Sequence, residues 1–196
     1  MDNNIPTPDF LDIGEDVQRA ATAALSGGSV LTPPADARVS VAKNGDTYKR
    51  WVEGVTIDRT WREATRTGLV VAVVQMTVRV GFPNAGQKVW ARHMLNLGLL
   101  SGAVSEEEAG RGHVFMNSNS INAITSLLSA TGYQPEKGGL SGRLLNLVFP
   151  VKEQPGAESP LKGKSVYANL VDSPNKGEQA RTPTRTQVES YLPDVK

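Results

Sequence analysis

The chain contains no cysteine, which excludes a disulfide framework, thiolate metal sites and cysteine nucleophiles in one step. Histidine is nearly as scarce. His93 and His113 fall on different predicted elements with no acid at metal-ligand spacing, so neither a zinc centre nor a histidine-based catalytic centre is expected. Long apolar runs are missing too: the longest, Leu69 to Val74, is far below the roughly 20 residues that span a bilayer. The N-terminus is acidic and lacks the basic and apolar regions of a signal peptide. Together these absences predict a protein of the cytoplasm, the host's if the chain is viral, with no membrane partner.

Catalytic motifs are also lacking. Gly163-Lys164-Ser165 ends like a phosphate-binding loop, but the first glycine of that motif would fall at Glu158, and the residues that follow read as a strand rather than a helix. The run Glu106-Glu107-Glu108 points its carboxylates in different directions on any regular element, so it reads as a solvated loop rather than a magnesium site. No G-x-S-x-G elbow is present. The expectation is a protein that is not an enzyme and needs no metal or cofactor.

What is present is an ordinary globular composition: 196 residues, 39% hydrophobic and 21% charged. That length fits one domain with extensions. The net charge of +1 conceals an asymmetry. Six acids stand against Arg19 alone before Arg38, whereas ten basic residues stand against four acids from Arg38 to Arg92. A cationic middle segment points to an anionic partner.

The most informative stretch runs from Leu69 to Leu95, two strands joined by the turn Gly81 to Gly86. Val74, Met76, Val78 and Val80 alternate with Gln75, Thr77 and Arg79, the period of a half-buried strand. On the return strand Lys88, Trp90 and Arg92 share one face, and Val89 and Ala91 share the other. An aromatic ring between two cations suits a polyanion with stackable rings, which is single-stranded nucleic acid. A solvated basic face with Trp90 tucked under a loop is the plainer alternative.

In chain order, 1–37 reads as an N-terminal arm carrying a short Ala-rich helix at Glu15 to Leu25. Arg38 to Ala42 is a strand ended by the turn Lys43 to Asp46. Thr47 to Asp58 is a strand with Trp51, Val55 and Ile57 on one side and Tyr48 and Arg50 on the other; Gly54 suggests a bulge or bend within it. Arg59 to Gly68, with Arg59, Trp61, Arg62 and Arg66 and few aliphatic residues, reads as a basic loop. Gly98 to Gly112 reads as a long loop. Asn117 to Thr131 is a helix, with Ile121, Ile124, Leu127 and Leu128 at helical spacing and Gly132 as its stop. Pro135 to Gly142 is a loop, Arg143 to Phe149 a strand, and Lys164 to Val171 a last strand with Val166, Ala168 and Leu170 inward. The body then spans 38–172, and 173–196 is a flexible C-terminal tail.

Counting the long strands alone, from Thr47 onward, the order is strand, strand, strand, helix, strand, strand, which is that of the OB fold, a five-stranded Greek-key barrel whose helix lies between strands 3 and 4. The expected class is therefore mainly β with α, an OB-like barrel with N- and C-terminal extensions. Strands 2 and 3 carry the ligand face of that fold, and Lys88, Trp90 and Arg92 fall on predicted strand 3.

Leu127-Leu128-Ser129-Ala130-Thr131-Gly132, then Gly139-Leu140-Ser141-Gly142-Arg143-Leu144, then Leu161-Lys162-Gly163-Lys164-Ser165-Val166 resemble the C-terminal half of small bacteriophage single-stranded-DNA-binding proteins. The likeness covers about a quarter of the chain, on short motifs. It implies an OB-like barrel and sequence-tolerant DNA binding in phage replication or recombination. The C-terminus, Tyr191 to Lys196, lacks the acidic tip that many single-strand binders use to recruit partners. On this reading Lys49, Arg50, Arg59, Arg62, Arg66, Arg79, Lys88 and Arg92 would line a cationic groove. Trp90 would stack on bases, with Trp61, Trp51, Tyr48 and Tyr167 as further candidates. DNA is the expected partner, with RNA left open, and the terminal arms offer a route to a homo-oligomer. The competing expectation is a virion structural or assembly protein whose arms bridge subunits.

Overall fold

The computed structural model describes residues 30–41, 45, 47–64, 70–95, 114–133, 142–152, 158–173 and 185–194. Its spine is one long strand. β2 (Thr47–Ala64) turns Trp51, Val55 and Ile57 into the core, and it is long enough to serve different neighbours along its length. Residues Lys49 to Thr56 pair with β5 (Ser165–Ser173), and Val55 to Ala64 pair with β3 (Val70–Val78). The short β1 (Arg38–Val41) pairs with Thr47 to Arg50. With β4 (Lys88–Leu95) and β6 (Arg185–Pro193) added, all ladders are antiparallel and the path is β4-β3-β2-β5-β6, with β1 beside it.

The two ends of that path meet beneath one helix. α1 (Val114–Ala130) packs against both β4 and β6, with Ile124, Leu127 and Leu128 in the core. It ends as expected: Gly132 takes φ 83°, and the Tyr133 N–H donates to the Leu128 carbonyl at 2.8 Å. Among the described residues no ladder forms between β4 and β6, so the sheet is curled but not closed. The buried pair His93 and Tyr191 spans this seam, Nε2 to hydroxyl at 3.2 Å. Burial pushes the imidazole pKa down to about 4 and the phenol pKa up. Among the described residues no helix is long and apolar enough to cross a membrane.

Several elements differ from the sequence expectation. Arg59 to Ala64 is not a loop but the second half of β2. The register slips between Ile57 and Arg59, so Asp58 is an extra residue and the inward phase moves to Thr60. Thr60 donates its hydroxyl to the Val148 carbonyl, so a polar side chain rather than an aliphatic one fills that inward position. Of the bulge or bend expected at Gly54, no bulge forms against β5, since pairing with that strand runs unbroken through it. Val80 does not continue the inward row of β3; it lies in the turn, 94% exposed.

Arg143 to Phe149 is a helix rather than a strand. α2 (Gly142–Val148) buries Leu145 and Val148 one turn apart and leaves Leu147 exposed. The edge of β2 beside it is filled by irregular backbone, with Arg62 N–H on the Pro150 carbonyl at 3.0 Å and Lys152 N–H on the Arg62 carbonyl at 3.3 Å. The segment 173–196 is more than a flexible tail, because it supplies β6, with Val188 and Tyr191 in the core. The arm expected over 1–37 likewise joins the body by its last part. Leu31 is buried and donates its N–H to Thr186 Oγ1 at 2.9 Å, and Thr32 exchanges two hydrogen bonds with the Asn84 side chain. The short helix expected at Glu15 to Leu25 and the loops expected at Gly98 to Gly112 and Pro135 to Gly142 lie outside the described residues, except for Gly142, which opens α2.

Candidate nucleic-acid interface

Alternation along β4 sends Lys88, Trp90 and Arg92 to the face away from the core, while Val89, Ala91 and His93 go inward. The ladders then fix their neighbours. On β3, Thr77 stands beside Lys88, Gln75 beside Trp90 and Val73 beside Arg92. On β2, Arg59 stands beside Gln75, Trp61 beside Val73 and Glu63 beside Val71. The bulge adds Asp58 to this face, where it accepts from the Thr77 hydroxyl and the Lys88 ammonium, each at 2.8 Å.

Trp61, Val71 and Val73 form a small apolar floor on the outer face, and Trp90 packs on it, its ring 5.8 Å from that of Trp61 at 88°. Trp61 itself is only 4% exposed. The Arg59 guanidinium and Lys152 ammonium lie 5.4 and 5.9 Å from its ring centroid. Trp90 is half-buried and reaches the surface between the exposed Lys88 and Arg92. Arg92 pairs with Glu63 at 3.5 Å, Lys152 pairs with the same carboxylate at 3.6 Å, and the Arg59 guanidinium donates to the Lys152 carbonyl at 3.0 Å. The result is an aromatic ring ringed by cations on a stiff sheet, a surface chemically suited to stack a planar ring and neutralise anions around it.

Of the residues singled out from sequence, this patch brings together Arg59, Trp61, Lys88, Trp90 and Arg92. The others among the described residues lie elsewhere. Trp51 is a core residue, 7% exposed, donating its ring N–H to Glu53 at 3.2 Å, so it is not available as a stacking platform. Arg62 turns towards α2 and donates to the Asn146 side chain. Arg79 lies 5.6 and 5.2 Å from the Phe82 and Tyr167 ring centroids and pairs with Asp194 at 2.7 Å, which engages both it and Tyr167 structurally. Arg50 binds Glu189 at 3.0 Å, and that hydrogen bond raises its pKa; Tyr48 and Lys49 precede it at the start of β2. Arg66 lies outside the described residues.

Lys152, Asp58 and Glu63 belong to the patch without having been singled out. Asp58 arrives through the bulge, and Lys152 through a single parallel bridge between Arg62 and Val151; neither leaves a periodic signal. Among the described residues no three acidic, histidine or cysteine side chains gather as a metal site. No protein-family model matches the chain and no curated protein is significantly similar to it, so the site is read from its own geometry.

Proposed function

We propose that this chain binds single-stranded DNA with little sequence preference, across the outer face of β3, β4 and the second half of β2. The observation that carries the reading is Trp90, half-buried on Trp61 and flanked along its strand by the exposed cations Lys88 and Arg92. A ring held this way offers an edge or face to an unpaired base, and the surrounding cations meet its phosphates. Strand order supports an OB-type barrel. With β1 set aside, the long strands lie side by side in the order β4-β3-β2-β5-β6, and the long helix follows β4, the third of them along the chain. In that fold the second and third strands, here β3 and β4, face the ligand. The resemblance of the C-terminal half to bacteriophage single-strand binders gives replication or recombination as the setting.

A second reading, an assembly protein of a virus particle, is favoured by β1. Among the described residues it pairs only with β2, and it carries Val39 and Val41, 56% and 69% exposed. Such an edge is a template for a strand from another subunit. Equilibrium titration of a fluorescent oligo-dT and of a duplex of equal length, at several salt concentrations, separates the two. The first reading predicts preference for the single strand, with a log–log salt slope of about −0.7 for each phosphate contact. Indifference to both nucleic acids, together with concentration-dependent self-assembly, would favour the second.

A further inference from the structure

Among the described residues, every cation around Trp90 that has an ion-pair partner finds it in one of two carboxylates of β2. Asp58 holds Lys88 at 2.8 Å; Glu63 holds Arg92 at 3.5 Å and Lys152 at 3.6 Å. Members of these pairs differ in freedom. The side chains of Lys88, Arg92 and Lys152 are 51%, 44% and 53% exposed, whereas those of Asp58 and Glu63 are 28% and 27% exposed. Both acids are further tied to the sheet. Asp58 accepts from the Thr77 hydroxyl at 3.0 and 2.8 Å, and Glu63 accepts from the Trp61 ring N–H at 3.4 Å. The acids are therefore fixed, and the long basic side chains can swing from them to another anion.

Resting on the single-strand reading above, we propose that Asp58 and Glu63 are built-in competitors of phosphate that weaken and tune binding on this face. Four cations, Arg59, Lys88, Arg92 and Lys152, stand against these two carboxylates, so an arriving strand meets a net charge of +2 rather than +4. A phosphate engaging Lys88 must displace it from Asp58, and one engaging Arg92 or Lys152 must draw it from Glu63. Phosphate attraction is offset in this way, and stacking on Trp90 becomes the contribution that decides whether a strand is held. The ion pairs also keep the cations ordered beside the ring while the face is empty.

The test is a titration of fluorescent oligo-dT and of an abasic oligomer of the same length with the wild-type chain, Asp58→Asn and Glu63→Gln. Both substitutions keep the hydrogen-bond acceptor and remove the charge, and melting curves check that each variant folds. The expected result is tightening by about two- to fivefold for each variant, the range set by exposed ion pairs, equally on both oligomers because only the phosphate attraction has changed. The salt slope should steepen by up to about 0.7 in each variant. In a Lys88→Gln background the gain from Asp58→Asn should shrink, because only the carboxylate's direct repulsion of phosphate is then left to remove. Wild-type binding with unchanged or weaker affinity in both variants, or a gain confined to oligo-dT, would overturn this proposal and leave the single-strand reading standing. No binding by any of the proteins would overturn that reading, and this one with it.

Discussion

Gly54 shows how closely one position can constrain this fold. A methyl group there would meet both Phe82 Cζ and Arg79 Nη2 at 2.6 Å. Those side chains are not free to retreat, because the ring packs edge-on against Tyr167 at 6.0 Å and the guanidinium is held by Asp194. Gly54→Ala is therefore expected to destabilise the fold by about 1–3 kcal/mol, the usual cost of overpacking. Chemical denaturation would read this as a lower midpoint at unchanged slope; an unaltered midpoint would mean that the Phe82 turn yields freely. At the same scale, the outward positions of Lys88, Trp90 and Arg92 were legible in the sequence because the alternation of β4 is unbroken. Those of Trp61 and Asp58 were not, since a bulge changes the phase between them without any marker residue.

At the scale of elements, the seam between β4 and β6 rests on His93 and Tyr191. The imidazole stays neutral when folded, with its pKa pushed by burial from 6.5 to about 4. Between those values the unfolded chain takes up a proton that the folded chain refuses, so stability contributed by the neutral ring is complete above pH 6.5 and falls as pH drops towards 4. The slope is about 1.4 kcal/mol per pH unit for one proton. Denaturant unfolding at pH 7.5 and pH 5 is expected to show this loss in the wild type and a smaller one in His93→Gln. Equal losses in both would remove His93 as the source. The elements themselves were read unevenly, for physical reasons. The long helix was legible from Ile121, Ile124, Leu127 and Leu128. The helix α2 was not, since a seven-residue segment whose apolar residues are Leu144, Leu145, Leu147 and Val148 fits strand and helix alike. β6 hid because Glu189 is an extra residue opposite β5, which spaces the buried Val188 and Tyr191 by three.

For the whole molecule, a mainly β body with one long helix was legible, and the observed sheet is six-stranded, antiparallel and unclosed. The element order came out as expected by two offsetting differences, a predicted strand that is α2 and a predicted tail that contains β6. The same architecture presents Trp90 on a sheet face whose opposite side is the core, so the ring can be altered without emptying the interior. The most direct measurement is the affinity of wild type and Trp90→Ala for oligo-dT at low and moderate salt, with melting curves alongside. Stacking is worth about 1–3 kcal/mol per base, so the variant is predicted to bind roughly 5- to 150-fold more weakly while remaining folded. An unchanged dissociation constant at both salt concentrations would contradict the account.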